Sequence, residues 1–262
     1  MTFIFKFENF ARKFLIFYSL LRFFFTKIFK GILYEKEAGG FDYLKKKNNL
    51  KIVDIGANDG LSSSYFLSKF NNSTIYIFEP LKLEKKSLKI KNKNRVKIFN
   101  IALGNKKEKN FLNIPYYNIL FFKKKFYLSA YSTVSKKNKL IFNINKSLKT
   151  FYFYKKILNF KTLIKIKKLD DFKMKPDIIK LDVEGFEEKV ILGSVNTIKK
   201  NLPILYIERP TKRTFLILRS LGYLNFVFDT FNKSFIKTKK IKKNYRNYFF
   251  INIKNLNLIK LK

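Results

Sequence analysis

The chain has 262 residues, 47% of them hydrophobic, so it is long enough to bury one large core and short for two full domains. It contains neither cysteine nor histidine, which excludes disulfides, thiolate nucleophiles, the usual zinc sites and every Ser-His or Cys-His dyad. Any acid–base chemistry must therefore use Asp, Glu, Lys or Tyr side chains.

The formal net charge of +39 would suggest binding to nucleic acid or to an anionic membrane surface. Yet 50 of the 57 basic residues are lysine and only seven are arginine, whereas sites for phosphate or bases favour the planar arginine fork. The abundant Lys, Asn, Ile, Phe and Tyr are also the residues with AT-rich codons. We therefore attribute much of the excess to base composition and do not expect nucleic acid as a partner.

The first 40 residues are predicted to form an amphipathic helical segment ahead of a main domain at 41–262. Four basic residues interrupt the hydrophobic stretch at 10–29, and its longest uncharged run, Phe14 to Leu21, has eight residues, against the roughly 20 needed to cross a bilayer. Packing on the domain, docking at a membrane interface and a dimer contact remain open. We expect a cytoplasmic protein, with peripheral contact at the inner membrane face as an alternative.

Strands alternate with helices from Lys51 onward. The pattern predicts strands at 51–55, 74–80, 96–103, 177–182, 203–209, 223–228 and 247–253, and helices at 61–70, 81–93, 186–200 and 211–221. This alternation indicates βαβ crossovers and a mostly parallel sheet with helices on both faces, and the last two strands are expected to form an antiparallel edge. Clean periodicity is missing at 105–161, which we interpret as a variable insert that covers the substrate site.

The turn after the first strand, in "IVDIGANDG" (52–60), carries the clearest sign of a ligand site. Ligands of open parallel sheets bind outside the carboxyl ends of the strands. Gly56 permits a sharp turn, and Gly60 a close approach at the helix start, where free N–H groups attract anions. Glu79 ends the second strand, where a carboxylate can accept both hydroxyls of a ribose. Together they predict an adenosine ligand, with a purely structural turn as the alternative.

The loop lacks the middle glycine of the dinucleotide pattern G-x-G-x-x-G, which disfavours a nicotinamide cofactor and suits S-adenosylmethionine better. Farther along, "LDVEGFEE" places Asp182 and Glu184 at a strand end, where residues i and i+2 share one face. Two converging carboxylates repel, so one pKa should rise into the range useful for accepting a proton. The alternative is that Glu184 and Glu187 complement the dipole of the next helix, the role we assign to Glu187.

Five blocks in sequence resemble the FkbM family of S-adenosylmethionine-dependent methyltransferases: "IVDIGANDG", "IYIFEP", "FNIALGN", "DIIKLDVEGFEEKVILGS" and "PILYIE". They cover 51–208, and "NYFFINI" is similar to the closing strand of the family. The resemblance implies an α/β fold with a Rossmann-like seven-stranded class I methyltransferase sheet. It also implies S-adenosyl-L-methionine as cofactor and a hydroxyl of a sugar, glycan or secondary metabolite as acceptor.

The same resemblance implies roles for single residues. Cofactor contacts would come from Asp54, Gly56, Asn58 and Gly60 at the methionine side, Glu79 at the ribose, and Asn100 and Ala102 near the adenine. Asp182 would be the catalytic base and Glu184 would orient the acceptor, while Glu208, Arg209, Ser132 and Thr133 would bind substrate. The chain has none of the histidines that some relatives use, and the basic residues at 209–213 would instead suit an acidic acceptor. We expect no metal, although a carboxylate pair could hold Mg²⁺.

Two other classes of function remain open. One is an RNA-binding protein or RNA methyltransferase that uses the lysine-rich surface, although "LDVEGF" lacks the N/D-P-P-F/Y signature common among enzymes that methylate RNA amino groups. The other is a non-catalytic membrane-surface protein that retains the fold. The glycines at 56 and 60 and the acidic residues Asp54 and Glu79 are all present, which argues against loss of the catalytic activity.

Overall fold

The structure is a computed structural model that describes residues 35–45, 48–82, 93–119, 122–127, 132–134, 158–242 and 244–259. Residues 1–34 of the helical segment predicted at 1–40, most of the predicted helix at 81–93 and much of the insert lie outside these residues. In the described part of the chain, no helix combines the length and the hydrophobicity needed to cross a membrane.

The described residues form two sheets. Their strands, numbered along the chain, are β1 (Lys51–Ile55), β2 (Thr74–Phe78), β3 (Val96–Phe99), β4 (Ala102–Leu103), β5 (Glu108–Ile119), β6 (Phe122–Tyr127), β7 (Leu158–Lys167), β8 (Ile178–Leu181), β9 (Ile204–Glu208), β10 (Tyr223–Asp229), β11 (Ser234–Lys237) and β12 (Asn247–Asn252). The main sheet has the order β11-β10-β12-β9-β8-β1-β2-β3, and the second sheet has the order β4-β7-β5-β6.

Five neighbouring strands of the main sheet, in the order β9-β8-β1-β2-β3, pair in parallel with one another. β12 then runs antiparallel to both β9 and β10, so the predicted mostly parallel sheet with an antiparallel edge is confirmed. Among the described residues the sheet has eight strands rather than the predicted seven. The additional strand, β11, extends the edge as a hairpin with β10.

In the described part of the chain, four α-helices connect or cover the strands: α1 (Leu61–Lys69), α2 (Glu187–Leu192), α3 (Val195–Asn201) and α4 (Lys212–Ser220). 3₁₀ helices occupy Lys36–Tyr43, Lys93–Arg95, Leu169–Phe172 and Ile253–Leu258. The prediction of a single helix at 186–200 is wrong, because α2 ends at Leu192 and α3 begins at Val195. Gly193 lies between the two helices, and a Cβ at this position would lie 1.9 Å from the carbonyl oxygen of Gly104. The helix is therefore interrupted at the point where the turn after β4 packs closely against it.

Apolar side chains cover the main sheet on both faces. On one face, Phe41 and Phe66 from the helices pack with Phe249 of β12. On the other face, Val190 of α2 and Phe215 of α4 belong to the second core cluster. The 3₁₀ helix Lys36–Tyr43 crosses the boundary predicted at residue 40, and the division into segments stays a prediction.

The second sheet was missed from the sequence. β5 and β7 pair antiparallel over nine residue pairs, from Glu108 opposite Ile166 to Tyr116 opposite Leu158. The predicted strand at 96–103 is also divided, because β3 ends in the main sheet and β4 pairs with β7. No strand was predicted at 105–161, yet β5, β6 and the beginning of β7 lie in this range. Its role as a cover of the substrate site stays a prediction.

Candidate active site

The carboxyl ends of four neighbouring strands meet at one edge of the main sheet. β1 lies between β2 and β8, and β9 follows β8, all in parallel. Side chains that come at or after these ends converge although long stretches of sequence separate them. The predicted residues brought together here are Gly56 after β1, Glu79 after β2, Asp182 after β8 and Glu208 at the end of β9.

Acidic side chains are concentrated at this edge. The whole chain has 18 acidic residues against 57 basic ones. Seven of the 18 lie at or beside these strand ends: Glu35, Asp54, Glu79, Asp182, Glu184, Glu187 and Glu208. The site is therefore rich in carboxylates within an otherwise strongly cationic protein.

Asp54 is completely buried at the end of β1. Its Oδ2 accepts hydrogen bonds from Ser62 Oγ at 2.6 Å and Ser63 Oγ at 2.5 Å, both at the start of α1. Its Oδ1 lies 3.5 Å from Nζ of Lys180. The carboxylate thus faces the protein's own side chains, and direct contact with a cofactor would require this turn to open.

The glycine loop has the backbone conformation that the sequence indicated, but for a partly different reason. Gly56 and Gly60 both have positive φ, at 77° and 80°. A Cβ on Gly56 would lie 1.8 Å from the carbonyl oxygen of Asp182. A glycine is therefore needed at position 56 because the backbone after β8 packs closely against it, whether or not a ligand also approaches this loop.

Glu79 connects the second strand to the glycine loop. Its Oε2 accepts from the backbone N–H of Asn58 at 2.8 Å, and its Oε1 from that of Leu81 at 3.0 Å. Burial raises the pKa of Glu79, and these two hydrogen bonds oppose the rise. Each carboxylate oxygen keeps a second lone pair for a hydroxyl donor.

The two residues predicted to lie near the adenine occupy different environments. Asn100 is exposed, and its Nδ2 donates to the carbonyl oxygen of Leu81 at 3.0 Å, beside the tip of β2. Ala102 is buried in β4 and pairs with Ile166 of β7 in the second sheet. Asn100 is thus placed at the edge where a ligand would lie, whereas Ala102 belongs to the core.

Asp182 follows β8, and 28% of its side chain is exposed. Its Oδ2 lies 3.6 Å from Nζ of Lys180. Burial raises the pKa of Asp182 well above its usual value, Lys180 opposes this rise, and the nearby Glu208 adds to it. A partly accessible carboxyl with a raised pKa has the properties of a proton acceptor.

Glu184 has a positive φ of 47° on the turn after β8, so this turn holds a strained residue beside the strand tip. Its Oε2 lies 3.5 Å from the guanidinium of Arg209. Burial raises the pKa of Glu184, and Arg209 opposes the rise. Glu187 lies in the first turn of α2, as its assignment to the helix dipole requires, and it also accepts from the backbone N–H of Gly185 at 3.0 Å and of Val183 at 3.4 Å.

The predicted substrate residues Glu208 and Arg209 are engaged with other charged groups. Arg246 donates to Oε1 of Glu208 at 2.5 Å, and Nε of Arg209 lies 3.6 Å from the same oxygen. Burial acts to raise the pKa of Glu208, but Arg246, a hydrogen bond with Asp182 and the charge of Arg209 together lower it below its usual value. Arg209 thus bridges Glu184 and Glu208.

Ser132 and Thr133 come from the insert. Thr133 Oγ1 donates to the carbonyl oxygen of Glu184 at 2.8 Å, and its backbone pairs with Asn113 of β5. Ser132 Oγ is buried and has no hydrogen-bond partner among the described residues. Thr133 therefore joins the second sheet to the turn after β8.

Three charged residues of the site were missed by sequence reasoning. Lys180 could have been found, because a lysine inside the apolar strand "IIKL" must be buried and paired. Arg246 had no local signal. Glu35 accepts from the hydroxyl of Tyr206 at 3.2 Å, and burial, followed by Glu208, raises its pKa to about 7; its linker context gave no sign of this.

An open groove of about 480 Å³ lies away from these strand ends. It is lined by Leu224, Phe226, Ser234, Phe235, Ile236, Lys237 and Leu256, at the β10–β11 edge. None of the predicted site residues lines it.

A family model described as the methyltransferase FkbM domain matches residues 54–225. The chain is similar to a methyltransferase FkbM structure from Methylobacillus flagellatus KT, with a TM-score of 0.49 and 15% identity over 90% of this chain and 53% of that one. It is also similar to a precorrin-6y C5,15-methyltransferase from Geobacter metallireducens GS-15, with a TM-score of 0.39 and 13% identity over 85% and 89% of the two chains. The chain thus spans about half the length of the first structure. No curated protein shows significant similarity to it.

Proposed function

Because this chain belongs to the FkbM methyltransferase family, we propose that it uses S-adenosyl-L-methionine to methylate a hydroxyl oxygen of a sugar, glycan or secondary metabolite. The observation that carries the proposal is the concentration of carboxylates at the ends of β1, β2, β8 and β9 in a chain of net charge +39. A carboxylate-rich site favours a cationic ligand, and a sulfonium is cationic.

The residues at this edge fit the proposed cofactor. Glu79 is fixed by two backbone N–H groups and keeps lone pairs for ribose hydroxyls. Asn58 and Gly60 belong to the same loop, whose N–H groups at the start of α1 suit the amino-acid carboxylate. Asn100 would contact the adenine side. In this arrangement Asp54 acts indirectly, by fixing α1 and Lys180.

The sulfonium supplies an activated methyl group with a neutral leaving group. The protein then has to position the acceptor oxygen, exclude water and take the hydroxyl proton. Asp182 is the proposed base, since its carboxyl is partly exposed and its pKa is raised. Glu184, held by Arg209 and by its positive-φ turn, is proposed to orient the acceptor.

The charge pairing also bears on the acceptor. Arg209 is engaged by Glu184 and Glu208, and Arg213 lies 3.2 Å from Glu188. In these ion pairs the arginine charges are already balanced by carboxylates of the protein, so they are less available to bind a phosphate or carboxylate of an acceptor. The arrangement therefore favours a neutral hydroxyl at this position over the acidic acceptor that the basic residues at 209–213 suggested. An acid-rich edge also disfavours RNA, whose phosphates it would repel.

Calorimetry with S-adenosylhomocysteine tests cofactor use. We expect the wild type to bind and Glu79→Ala to bind at least about ten- to a hundredfold more weakly, because a single charge-assisted hydrogen bond contributes about 1.5–3 kcal/mol. Glu108→Ala on the second sheet is the matched control. Equal binding by wild type and Glu79→Ala would place the cofactor elsewhere, and no binding by the wild type would support the non-catalytic alternative.

A second measurement tests the base. Asp182→Asn should keep its affinity for S-adenosylhomocysteine but lose turnover by about 10²- to 10⁴-fold, the usual contribution of general base catalysis. Methyl transfer to a hydroxyl acceptor, followed by mass spectrometry, provides the readout. Turnover that survives in Asp182→Asn would show that another group accepts the proton.

A further inference from the structure

Lys180 is a charged residue inside β8, and only 4% of it is exposed. Its ammonium lies 3.5 Å from Oδ1 of Asp54 and 3.6 Å from Oδ2 of Asp182. It also donates a hydrogen bond of 3.3 Å to the carbonyl oxygen of Gly56. The three N–H donors of one ammonium thus face three acceptors, from the end of β1, the glycine loop and the end of β8.

A buried lysine ordinarily loses its proton, because burial disfavours the charged form. Here the neighbouring carboxylates reverse that outcome. Burial acts to lower the pKa of Lys180, but the carboxylates of Asp54, Asp182, Glu35 and Glu208 together raise it above its usual value. The residue therefore carries a positive charge at every pH at which the protein would work.

We propose that Lys180 is a positioning residue for methyl transfer, which holds the carboxylate of Asp182 in place, favours its ionised form and ties it to the glycine loop. The inference rests on the function proposed above. It assigns a role to Lys180, which was not among the predicted site residues and whose ammonium contacts both the carbonyl oxygen of Gly56 in the glycine loop and the carboxylate of Asp182.

The charges around Asp182 explain why this role is needed. Glu208 at the end of β9, Glu184 on the following turn and Glu35 before the first 3₁₀ helix all favour the neutral form of Asp182, as does burial. Lys180 acts in the opposite direction. Without it, Asp182 would keep its proton to a higher pH, so a smaller fraction would be in the ionised form that accepts the proton of a hydroxyl.

Titration of the Asp182 carboxyl tests the inference directly. Carbon-13 NMR on aspartate-labelled protein, with the signal assigned by its loss in Asp182→Asn, gives the midpoint without cofactor or acceptor. We expect Lys180→Met to raise the midpoint by about one pH unit or more, the effect of removing an opposite charge at this distance. Lys180→Arg, which keeps the charge, should restore most of the wild-type value.

The pH profile of turnover provides the functional readout. The acidic limb in Lys180→Met should move upward by the same amount as the midpoint, so the rate below the limb falls about tenfold for each unit. A merely structural role would lower the rate at all pH values alike. An Asp182 midpoint that does not change in Lys180→Met overturns the inference, whatever happens to the rate.

Lys180→Met leaves buried carboxylates without their cation and can fail to fold. The double variant Lys180→Met/Asp54→Asn removes one charge of each sign, and Asn can still accept from Ser62 and Ser63. Its Asp182 midpoint should also rise, and an unchanged value would again overturn the inference. Failure of the wild type to bind S-adenosylhomocysteine would instead refute the proposed function, so the two failures are distinguishable.

Discussion

Replacing Glu35 by Gln should stabilise the protein at neutral and alkaline pH. The Glu35 carboxylate accepts from the hydroxyl of Tyr206 at 3.2 Å, a hydrogen bond that the amide oxygen of Gln can also accept. The substitution therefore removes a charge and keeps the contact. Burial raises the pKa of Glu35 from 4.5 to about 7, with Glu208 adding to the rise, and Lys180 and Arg246 opposing it.

The sign and size of the effect follow from proton linkage. Because the folded-state pKa is raised, the folded protein holds a proton that the unfolded chain has released, so stability is highest below pH 4.5 and falls as the pH rises through about 7. At 1.36 kcal/mol per unit, the difference between the two pKa values, 4.5 and about 7, corresponds to about 3–4 kcal/mol at most. Glu35→Gln should match the wild type at about pH 4.5 and exceed it by up to that amount at about pH 8.

Urea denaturation from about pH 5 to about pH 8 measures this difference. Glu108→Gln is the matched control, since Glu108 pairs at 2.9 Å with the exposed Lys106 on the second sheet. The control should follow the wild type across the range. Equal stability of Glu35→Gln and wild type at about pH 8 would refute the argument, because it would show that the Glu35 charge costs nothing in the folded state.

Two further predictions concern the loop and the arginine pair. Gly56→Ala should destabilise the protein by more than about 2 kcal/mol, because Gly56 has a positive φ and an added Cβ would lie 1.8 Å from the carbonyl oxygen of Asp182. Gly185→Ala, where φ is also positive but no atom lies near the added Cβ, should cost about 1 kcal/mol. Thermal denaturation compares the two variants, and equal losses of stability would contradict the steric argument. Arg246→Met should lower the free energy of unfolding by about 2–3 kcal/mol at neutral pH, allowing for solvent screening of the Arg246–Glu208 pair. The loss should become smaller on acidification, because protonation of Glu208 through its lowered pKa removes the charge that Arg246 balances. A loss of stability that does not depend on pH would contradict a stabilising ion pair between these two residues.

The parallel core and the glycine loop were predictable because their signals are local. Buried parallel strands are continuous apolar runs, and each run from β1 to β9 in the main sheet is bounded by turn residues or a helical pattern. Gly56 and Glu79 stand directly after such runs. Their position at the carboxyl edge therefore followed from strand order alone.

The second sheet was not predictable in the same way. In β5 and β7 the inward Leu112 and Ile164 are buried, but the outward Phe111 and Leu163 are also apolar and more than half exposed. Alternation between apolar and polar residues is the signal for a half-buried strand, and here both faces carry apolar side chains. Pairing across the sheet, not composition, determines these strands.

The sequence by itself determined the strand–helix alternation, the turn after β1 and the family, because these depend on residues close together in the chain. Only the tertiary structure decided how the charges pair. Lys180 reaches Gly56 across 124 positions and Tyr206 reaches Glu35 across 171. Such contacts depend on parallel register, which brings the ends of distant strands to one edge, and no local pattern records which cation will lie beside which carboxylate.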